Sequence, residues 1–186
     1  MTKVIIVAAL QSEFFAATKS VERIFYTGIG KINASSLVTQ LIIEERPDLI
    51  LNVGTAGCLQ SNLLGGVFGI KEVIERDMMA EPLAQRGTVP LSKEPPIFKS
   101  DFGDAKCATG DSFVTREDKW LIDSGVDLVD MELFAIAKVA SRFGVKWRAI
   151  KFASDLANED AAKSWSESLE SSNSRISEMI DKAISD

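Results

Sequence analysis

Short apolar runs that alternate with helical patterns are the feature of this sequence that most limits its fold. The first run, Lys3–Ala9, is apolar after its lysine without a polar alternation, as expected for a strand that is buried on both faces. Because predicted strands and helices alternate along the chain, we predict the α/β class. The length of 186 residues suits a single domain over residues 1–186, with a central twisted mixed sheet flanked by helices.

Four of the predicted strands end in small or polar residues. In sheets of this class, ligands bind beyond the carboxyl ends of the strands. Four such ends therefore predict one shared crevice. The four ends are Gln11-Ser12-Glu13, Gly54-Thr55-Ala56-Gly57, Thr109-Gly110-Asp111-Ser112 and Ser154-Asp155.

The limits of the elements follow from periodicity and from proline. A helical pattern begins after the turn TGIGK (27–31) and must end before Pro47. We predict strands at Leu49–Val53 and Lys146–Phe152, and a helix at Met131–Phe143. The segment Asp77–Ser100 contains four prolines and is predicted to be a long loop with little regular structure.

The chain contains no histidine. A Ser-His-Asp arrangement and a zinc site with imidazole ligands are therefore excluded within this chain. General acid–base chemistry near neutral pH must be carried out by Asp, Glu, Lys, Cys or the single tyrosine, Tyr26.

Charge and cysteine content indicate the partners and the compartment. The formal net charge of −6 argues against nucleic acid as a partner, because phosphate binding needs a basic surface. The apolar runs are too short to span a membrane. Cys58 and Cys107 form no CxxC motif, so we expect reduced thiols and a cytoplasmic protein.

The residues alone leave two interpretations open for each candidate. Glu13 is either a solvated loop residue or a functional carboxylate, and Asp155 is either a helix N-cap or a functional carboxylate. Glu132 lies one turn before Ile136 on an apolar helix face, so it must be paired, cap the helix or bind a ligand. Phe113, taken alone, fits a core residue.

The turn TGIGK matches neither common phosphate-binding motif. A Walker A loop needs Gly and Ser or Thr where this chain has Phe25 and Ile32, and a dinucleotide fingerprint needs a third Gly where it has Asn33. The turn is either a tight strand-to-helix connection or, with Gly30, a backbone wall of a ligand pocket.

Six segments span almost the whole chain: VAALQSEF (7–14), TGIGKINAS (27–35), NVGTAGCL (52–59), ATGDSFV (108–114), VDMELFAIA (129–137) and KFASDLAN (151–158). Taken together, and in this order, they resemble the nucleoside phosphorylase and nucleosidase superfamily, and most closely the 5′-methylthioadenosine/S-adenosylhomocysteine nucleosidases. The resemblance implies a nucleoside phosphorylase/hydrolase-like fold and an N-ribosyl hydrolase acting on a purine nucleoside.

The resemblance also implies roles for three carboxyl groups. Glu13 matches the glutamate that orients and deprotonates the attacking water. Asp155 matches the aspartate that protonates the purine at N7, and Glu132 matches the glutamate that holds the sugar hydroxyls. Two carboxyl groups on opposite sides of a sugar can hydrolyse its bond to the base without histidine, as in inverting glycosidases.

The remaining predicted substrate-binding residues follow the same match. Phe113 corresponds to the aromatic that stacks on the base, and Val114 to the residue whose backbone reads the base edge. Lys151 stands where the bacterial nucleosidases usually carry arginine. The full predicted substrate-binding set is Gly30, Thr55, Phe113, Val114, Met131, Lys151 and Ser154.

Two alternative functions stay open at this point. A phosphate-dependent purine nucleoside phosphorylase needs a site for a phosphate dianion; the loop Gln11-Ser12-Glu13 has no arginine, although Lys151 supplies a cation. A non-catalytic nucleoside-binding module needs only the purine pocket. We expect no metal and no cofactor, no membrane or nucleic acid partner, and a homodimer.

Overall fold

The computed structural model describes residues 2–15 and 23–185. Within these residues, eight strands form one mixed sheet, and four α-helices and a 3₁₀ turn (Ser61–Leu63) surround it. The strands are β1 (Val4–Ala8), β2 (Ile24–Tyr26), β3 (Leu49–Cys58), β4 (Val67–Glu75), β5 (Ile97–Lys99), β6 (Ala105–Thr109), β7 (Leu128–Asp130) and β8 (Lys146–Asp155). The helices are α1 (Lys31–Glu45), α2 (Lys119–Asp123), α3 (Leu133–Arg142) and α4 (Ala161–Ser185).

The sheet combines an open parallel edge with a closed ring. Strand β1 pairs in parallel with β2 and β3, and β3 continues in parallel to β8. Antiparallel pairing joins β3 to β7 and β4 to both β5 and β8, whereas β6 pairs in parallel with β4 and β7. The pairs β3–β7–β6–β4–β8–β3 close a ring of five strands. The predicted α/β class with a mixed sheet flanked by helices is confirmed.

The alternation of side chains along β1 explains why helices cover both faces of the sheet. Ile5 and Val7 pack into one cluster with residues of α1 and α3, whereas Ile6 and Ala8 pack into another with Ile176 of α4. Successive side chains of a strand point to opposite faces. The continuous apolar run of β1 therefore records burial on both sides, as the sequence predicted.

Helix α1 begins and ends where the sequence indicates. Gly30 precedes it with a φ of 94°, a conformation that favours glycine. Arg46 follows it in the left-handed region with a φ of 50°, and Pro47 comes next. Since proline at this point cannot continue the helix, the predicted end before Pro47 is confirmed.

Two strands run further than predicted. Strand β3 continues through the GTAG segment (54–57) to Cys58, and β8 continues to Asp155, with a register shift at Ala56 and Gly57. A Cβ at position 57 would lie 2.7 Å from Asp155 Oδ1, so glycine is needed here for close approach between strands. The sequence pattern ended the strand at Val53 because local patterns do not show the partner strand that these glycines approach.

Two further boundaries differ from the prediction. The segment Asp77–Ser100 is irregular as far as Pro96, but it contains β5, which pairs with β4 and was missed. Helix α3 begins at Leu133, and Glu132 occupies its N-cap position without a side-chain capping bond. No helix among the described residues is long and apolar enough to span a membrane.

Candidate active site

The ends of β3, β6, β7 and β8 and the segment after β1 meet at one cavity of about 150 Å³. All four strand ends singled out in the sequence therefore contribute to the same crevice. The cavity is lined by Ala9, Leu10, Glu13, Ile29, Thr55, Ala56, Gly57, Arg76, Ser112, Phe113, Val114, Val129, Asp130, Met131, Glu132, Ser154, Asp155, Ala157 and Trp165.

Glu13 is buried at the wall of this cavity and is held by neutral donors. Its Oε1 accepts hydrogen bonds from the Thr55 hydroxyl at 2.5 Å and the Thr55 backbone N–H at 3.2 Å. Its Oε2 accepts one from the Leu10 backbone N–H at 3.1 Å. These bonds fix the carboxylate beside β3. Glu13 is therefore a structured cavity residue, not a solvated loop residue.

Asp155 lies at the end of β8, and the residue is 4% exposed. Oδ2 accepts a hydrogen bond from the Ser154 hydroxyl at 2.8 Å, and Oδ1 accepts one from the Ala157 backbone N–H at 2.9 Å. The second bond closes an Asx turn two residues on. The local turn and the cavity position are thus both present, and they do not exclude each other.

Glu132 is the buried carboxyl whose protonation the site perturbs most clearly. Gly30 donates its backbone N–H to Glu132 Oε1 at 2.8 Å, so Gly30 acts through this carboxyl and does not itself line the cavity. Burial and, after it, the negative charge of Asp130 raise the pKa of Glu132 to about 7, although Lys151 acts against them. Glu132 is therefore poised to change its charge near neutral pH.

Lys151 is placed differently from the prediction that it binds substrate. It is 2% exposed, does not line the cavity, and binds Asp130 Oδ2 through Nζ at 2.8 Å. Asp130 also accepts hydrogen bonds from the Thr109 hydroxyl at 2.6 Å and the Leu133 N–H at 2.9 Å. Since a buried charge must be paired, Lys151 serves to neutralise Asp130 beneath the cavity.

The charges of this pair also fix each other's protonation. Burial acts against the charged form of both groups, but the Lys151 ammonium lowers the pKa of Asp130 and the Asp130 carboxylate raises the pKa of Lys151. Both groups therefore stay charged at neutral pH.

We refer to Asp130, Glu132 and Lys151 as the ion-pair side, and to Glu13, Thr55, Ser154 and Asp155 as the neutral-donor side.

Aromatic and apolar side chains line the mouth of the cavity. Phe113 is 45% exposed, so it is not the core residue that its type alone suggests. Val114 and Met131 also line the wall, together with Ile29 from the turn before α1. A flat apolar ligand group could be covered here on one face by Phe113.

Sequence reasoning missed three residues at this site. Trp165 of α4 contacts Phe113 edge to face, with ring centroids 6.3 Å apart, and donates Nε1–H to the Thr55 hydroxyl at 2.8 Å. Asp130 lies in the matched segment but was assigned no role. Arg76, the residue after β4, reaches the cavity wall.

Arg76 is 6% exposed, and its side chain lies close to Gly110. It donates to the backbone oxygens of Gly110 and Ser112, and to the Ser112 hydroxyl at 3.2 Å. Its Nε has no hydrogen-bond partner within the part of the chain that the structure describes. The sequence offered one signal that Arg76 could belong to the site, which is its position directly after a strand.

The described residues contain no group of three or more Cys, Asp or Glu that could hold a metal ion. Three carboxyl groups, Glu13, Glu132 and Asp155, line the cavity. Glu13 and Asp155 lie on one cavity and are each held by neutral donors, so one can accept a proton while the other donates one. The third carboxyl, Glu132, can stabilise positive charge in the cavity.

Comparison with known proteins relates the chain to one family. The sequence profile of the Phosphorylase superfamily matches residues 12–185. A 5′-methylthioadenosine/S-adenosylhomocysteine nucleosidase of Listeria innocua is 32% identical over 166 residues, which cover 76% of this chain and 71% of that protein. The corresponding nucleosidase of Staphylococcus aureus strain MRSA252 is 31% identical over 180 residues, covering 86% and 79%.

Solved structures share the fold at lower identity. A mutant of the Helicobacter pylori nucleosidase with 5′-methylthioadenosine in its active site superposes with a TM-score of 0.86 at 19% identity, covering 99% of this chain and 98% of that one. A Helicobacter pylori futalosine hydrolase mutant superposes with a TM-score of 0.85 at 18% identity, covering 99% of both chains. The fold is thus common to proteins named for different nucleosides.

Proposed function

The chain belongs to the phosphorylase superfamily and, within it, to the 5′-methylthioadenosine/S-adenosylhomocysteine nucleosidases, and we propose that it hydrolyses the N-glycosidic bond of a purine nucleoside. The products are the free purine and a ribose derivative. The observation that carries this proposal is the pair of buried carboxyl groups, Glu13 and Asp155, on one cavity.

The two carboxyl groups have separate duties in this reaction. Cleavage builds positive charge on the sugar and negative charge on the leaving base. Asp155 donates a proton to the base, and Glu13 accepts a proton from the water that attacks the sugar. Asp155 must therefore hold a proton at the start of the cycle and Glu13 must be ionised. The bonds from Thr55 and Ser154 support these roles because they fix both groups in place.

The sugar lies against Glu132 in this proposal. Its carboxylate accepts hydrogen bonds from sugar hydroxyls and stabilises the developing positive charge. The turn before α1 supports this role, since Gly30 directs its N–H to Glu132 Oε1. The base is stacked by Phe113 beside Val114, and Met131 lies under the ribose.

Phosphorolysis is the less favoured reading of the same cavity. A phosphate dianion needs cations or N–H donors, whereas the cavity wall carries the buried carboxyl groups of Glu13, Glu132 and Asp155, which suit water. Lys151, the cation that favoured a phosphate site in the sequence, is bound to Asp130. Arg76 lines the cavity, but its guanidinium already donates to Gly110 and Ser112.

We take the substrate to resemble 5′-methylthioadenosine or S-adenosylhomocysteine, because the relatives at 30% identity or more carry those names. The test is release of free purine from both compounds and from other purine nucleosides, with and without phosphate. We expect release in phosphate-free buffer. Release that strictly requires phosphate would show a phosphorylase, and no release from any nucleoside would favour a binding module.

We also propose a cytoplasmic homodimer. Exposed apolar side chains support an interface near α1 and the irregular segment 77–96, where Ile32 is 81% and Leu83 is 83% exposed. The free, buried cysteines Cys58 and Cys107 are in keeping with a reducing compartment. A sedimentation mass near the 20.3 kDa of one chain would contradict the dimer, and recovery outside the cytoplasm on cell fractionation would contradict the location.

A further inference from the structure

Three groups form a hydrogen-bonded chain from α4 to the carboxylate that the proposed function assigns to the water. Trp165 Nε1–H donates to Thr55 Oγ1 at 2.8 Å, and Thr55 Oγ1–H donates to Glu13 Oε1 at 2.5 Å. The Thr55 backbone N–H donates to the same Glu13 oxygen at 3.2 Å. Glu13 is therefore connected to a helix that lies about 150 residues further along the sequence.

The direction of this chain is fixed by the chemistry of the indole. An indole N–H can donate a hydrogen bond but cannot accept one, whereas a threonine hydroxyl can do both. Because Trp165 occupies an acceptor position of the Thr55 oxygen, the hydroxyl proton is directed away from Trp165 and towards Glu13. Without the indole N–H, the Thr55 hydroxyl loses the donor that keeps its proton directed towards Glu13.

We propose that Trp165 is a positioning residue for water activation, which acts by holding the Thr55 hydroxyl as a donor to Glu13. This inference rests on the proposed hydrolysis. The Trp165 ring also contacts Phe113, so this one side chain links the carboxylate that takes the water proton to the aromatic that covers the base. Tryptophan is suited to this position because it combines an aromatic surface with a polar donor.

The decisive test is a pair of substitutions analysed as a double-mutant cycle. Trp165→Phe keeps an aromatic ring beside Phe113 but removes the N–H, and Thr55→Val keeps the branched shape but removes the hydroxyl. We expect Trp165→Phe to lower kcat about 3- to 10-fold, the effect of one hydrogen bond, with KM changed less than about twofold. In the Thr55→Val background the same substitution should lower kcat no further.

Trp147→Phe is the matched control, since Trp147 is buried at the start of β8 and does not line the cavity. It should leave kcat and KM unchanged. Additive losses in the double variant would overturn the inference, because Trp165 would then act through packing alone. A wild-type chain that releases no base would overturn the proposed function and this inference together. Additive losses in a chain that does release base would overturn this inference alone, so the two failures are distinguishable.

The hydrogen bond itself can be observed without any substrate. The indole N–H resonance of Trp165 is assigned by its loss from the ¹H–¹⁵N spectrum of Trp165→Phe. We expect this resonance to shift in Thr55→Val, because its acceptor is removed, and to shift less in Glu13→Gln, because the acceptor is polarised differently. A resonance that stays in place in both variants would contradict the relay, whatever the activity.

Discussion

Glu13 and Glu132 line the same cavity and are equally buried, each 6% exposed, but their surroundings differ. The three donors described above for Glu13, on the neutral-donor side, are a hydroxyl and two backbone N–H groups. Glu132, on the ion-pair side, accepts one backbone N–H and lies near the charges of Asp130 and Lys151.

The difference indicates a division of labour. Neutral donors orient a carboxyl group without placing a formal charge beside it. A buried ion pair, in contrast, fixes charge and contributes an electrostatic field. In the proposed reaction, the neutral-donor side transfers protons and the ion-pair side stabilises the charge that develops on the sugar.

The largest expected effect is on turnover, from Asp155→Asn on the neutral-donor side. The amide keeps the shape and the acceptor oxygen for the Ala157 N–H, but it cannot donate a proton to the base as an acid. We expect kcat to fall by about 10² to 10⁴-fold, with unfolding by urea changed little. Steady-state rates of purine release give the comparison, and full activity in this variant would show that Asp155 is not the acid.

The next effect is on stability, from Lys151→Met on the ion-pair side. The substitution leaves the Asp130 carboxylate buried without its cation, which typically costs about 3–5 kcal/mol. Urea denaturation would measure the loss. The double variant Lys151→Met/Asp130→Asn removes both charges and should recover part of the stability; equal losses in the single and double variants would contradict the pairing.

The smallest of the three effects is a change in pH dependence, from Glu132→Gln. The pKa of Glu132 in the folded protein is raised to about 7 from the ordinary value of 4.5, so between these values the folded state binds more protons than the unfolded state. Stability should therefore fall as pH rises from 5 to 8, by about 2 to 3 kcal/mol. The glutamine variant should lack this fall, as measured by urea denaturation at both pH values.

Glu45→Gln is the control for this experiment. Glu45 is on the surface and its pKa is lowered by a hydrogen bond from Lys3, so it does not titrate between pH 5 and 8. The control should keep the wild-type pH dependence. If Glu132→Gln kept it as well, the raised pKa would belong to another group.

Much of the fold was predictable because it depends on local patterns. The apolar run of β1, the amphipathic stripe of α1 and the stop at Pro47 each reflect residues close together in the sequence. The GTAG segment was harder, because its glycines serve an approach between β3 and β8 that local patterns do not contain. Strand β5 was missed for a similar reason, since it forms by pairing with β4.

The site was predicted in part. The cavity brings together Glu13, Glu132 and Asp155 with most of the substrate-binding residues that the resemblance named. Lys151 was assigned to the substrate because it stands where the bacterial nucleosidases usually carry arginine, and its pairing with Asp130 is visible only in space. Trp165 was missed because the sequence pattern of α4 could not reveal a bond to Thr55.

The sequence by itself determined the class of fold, the absence of histidine chemistry and the identity of the carboxyl groups, because these depend on residue type and on order along the chain. The tertiary structure decided which donors and charges each carboxyl meets. Burial and neighbouring charge set the protonation of a group, and both arise from strands and helices that are far apart in sequence. Glu13 and Glu132 therefore differ in their hydrogen-bond donors and in the charges near them only once the chain has folded.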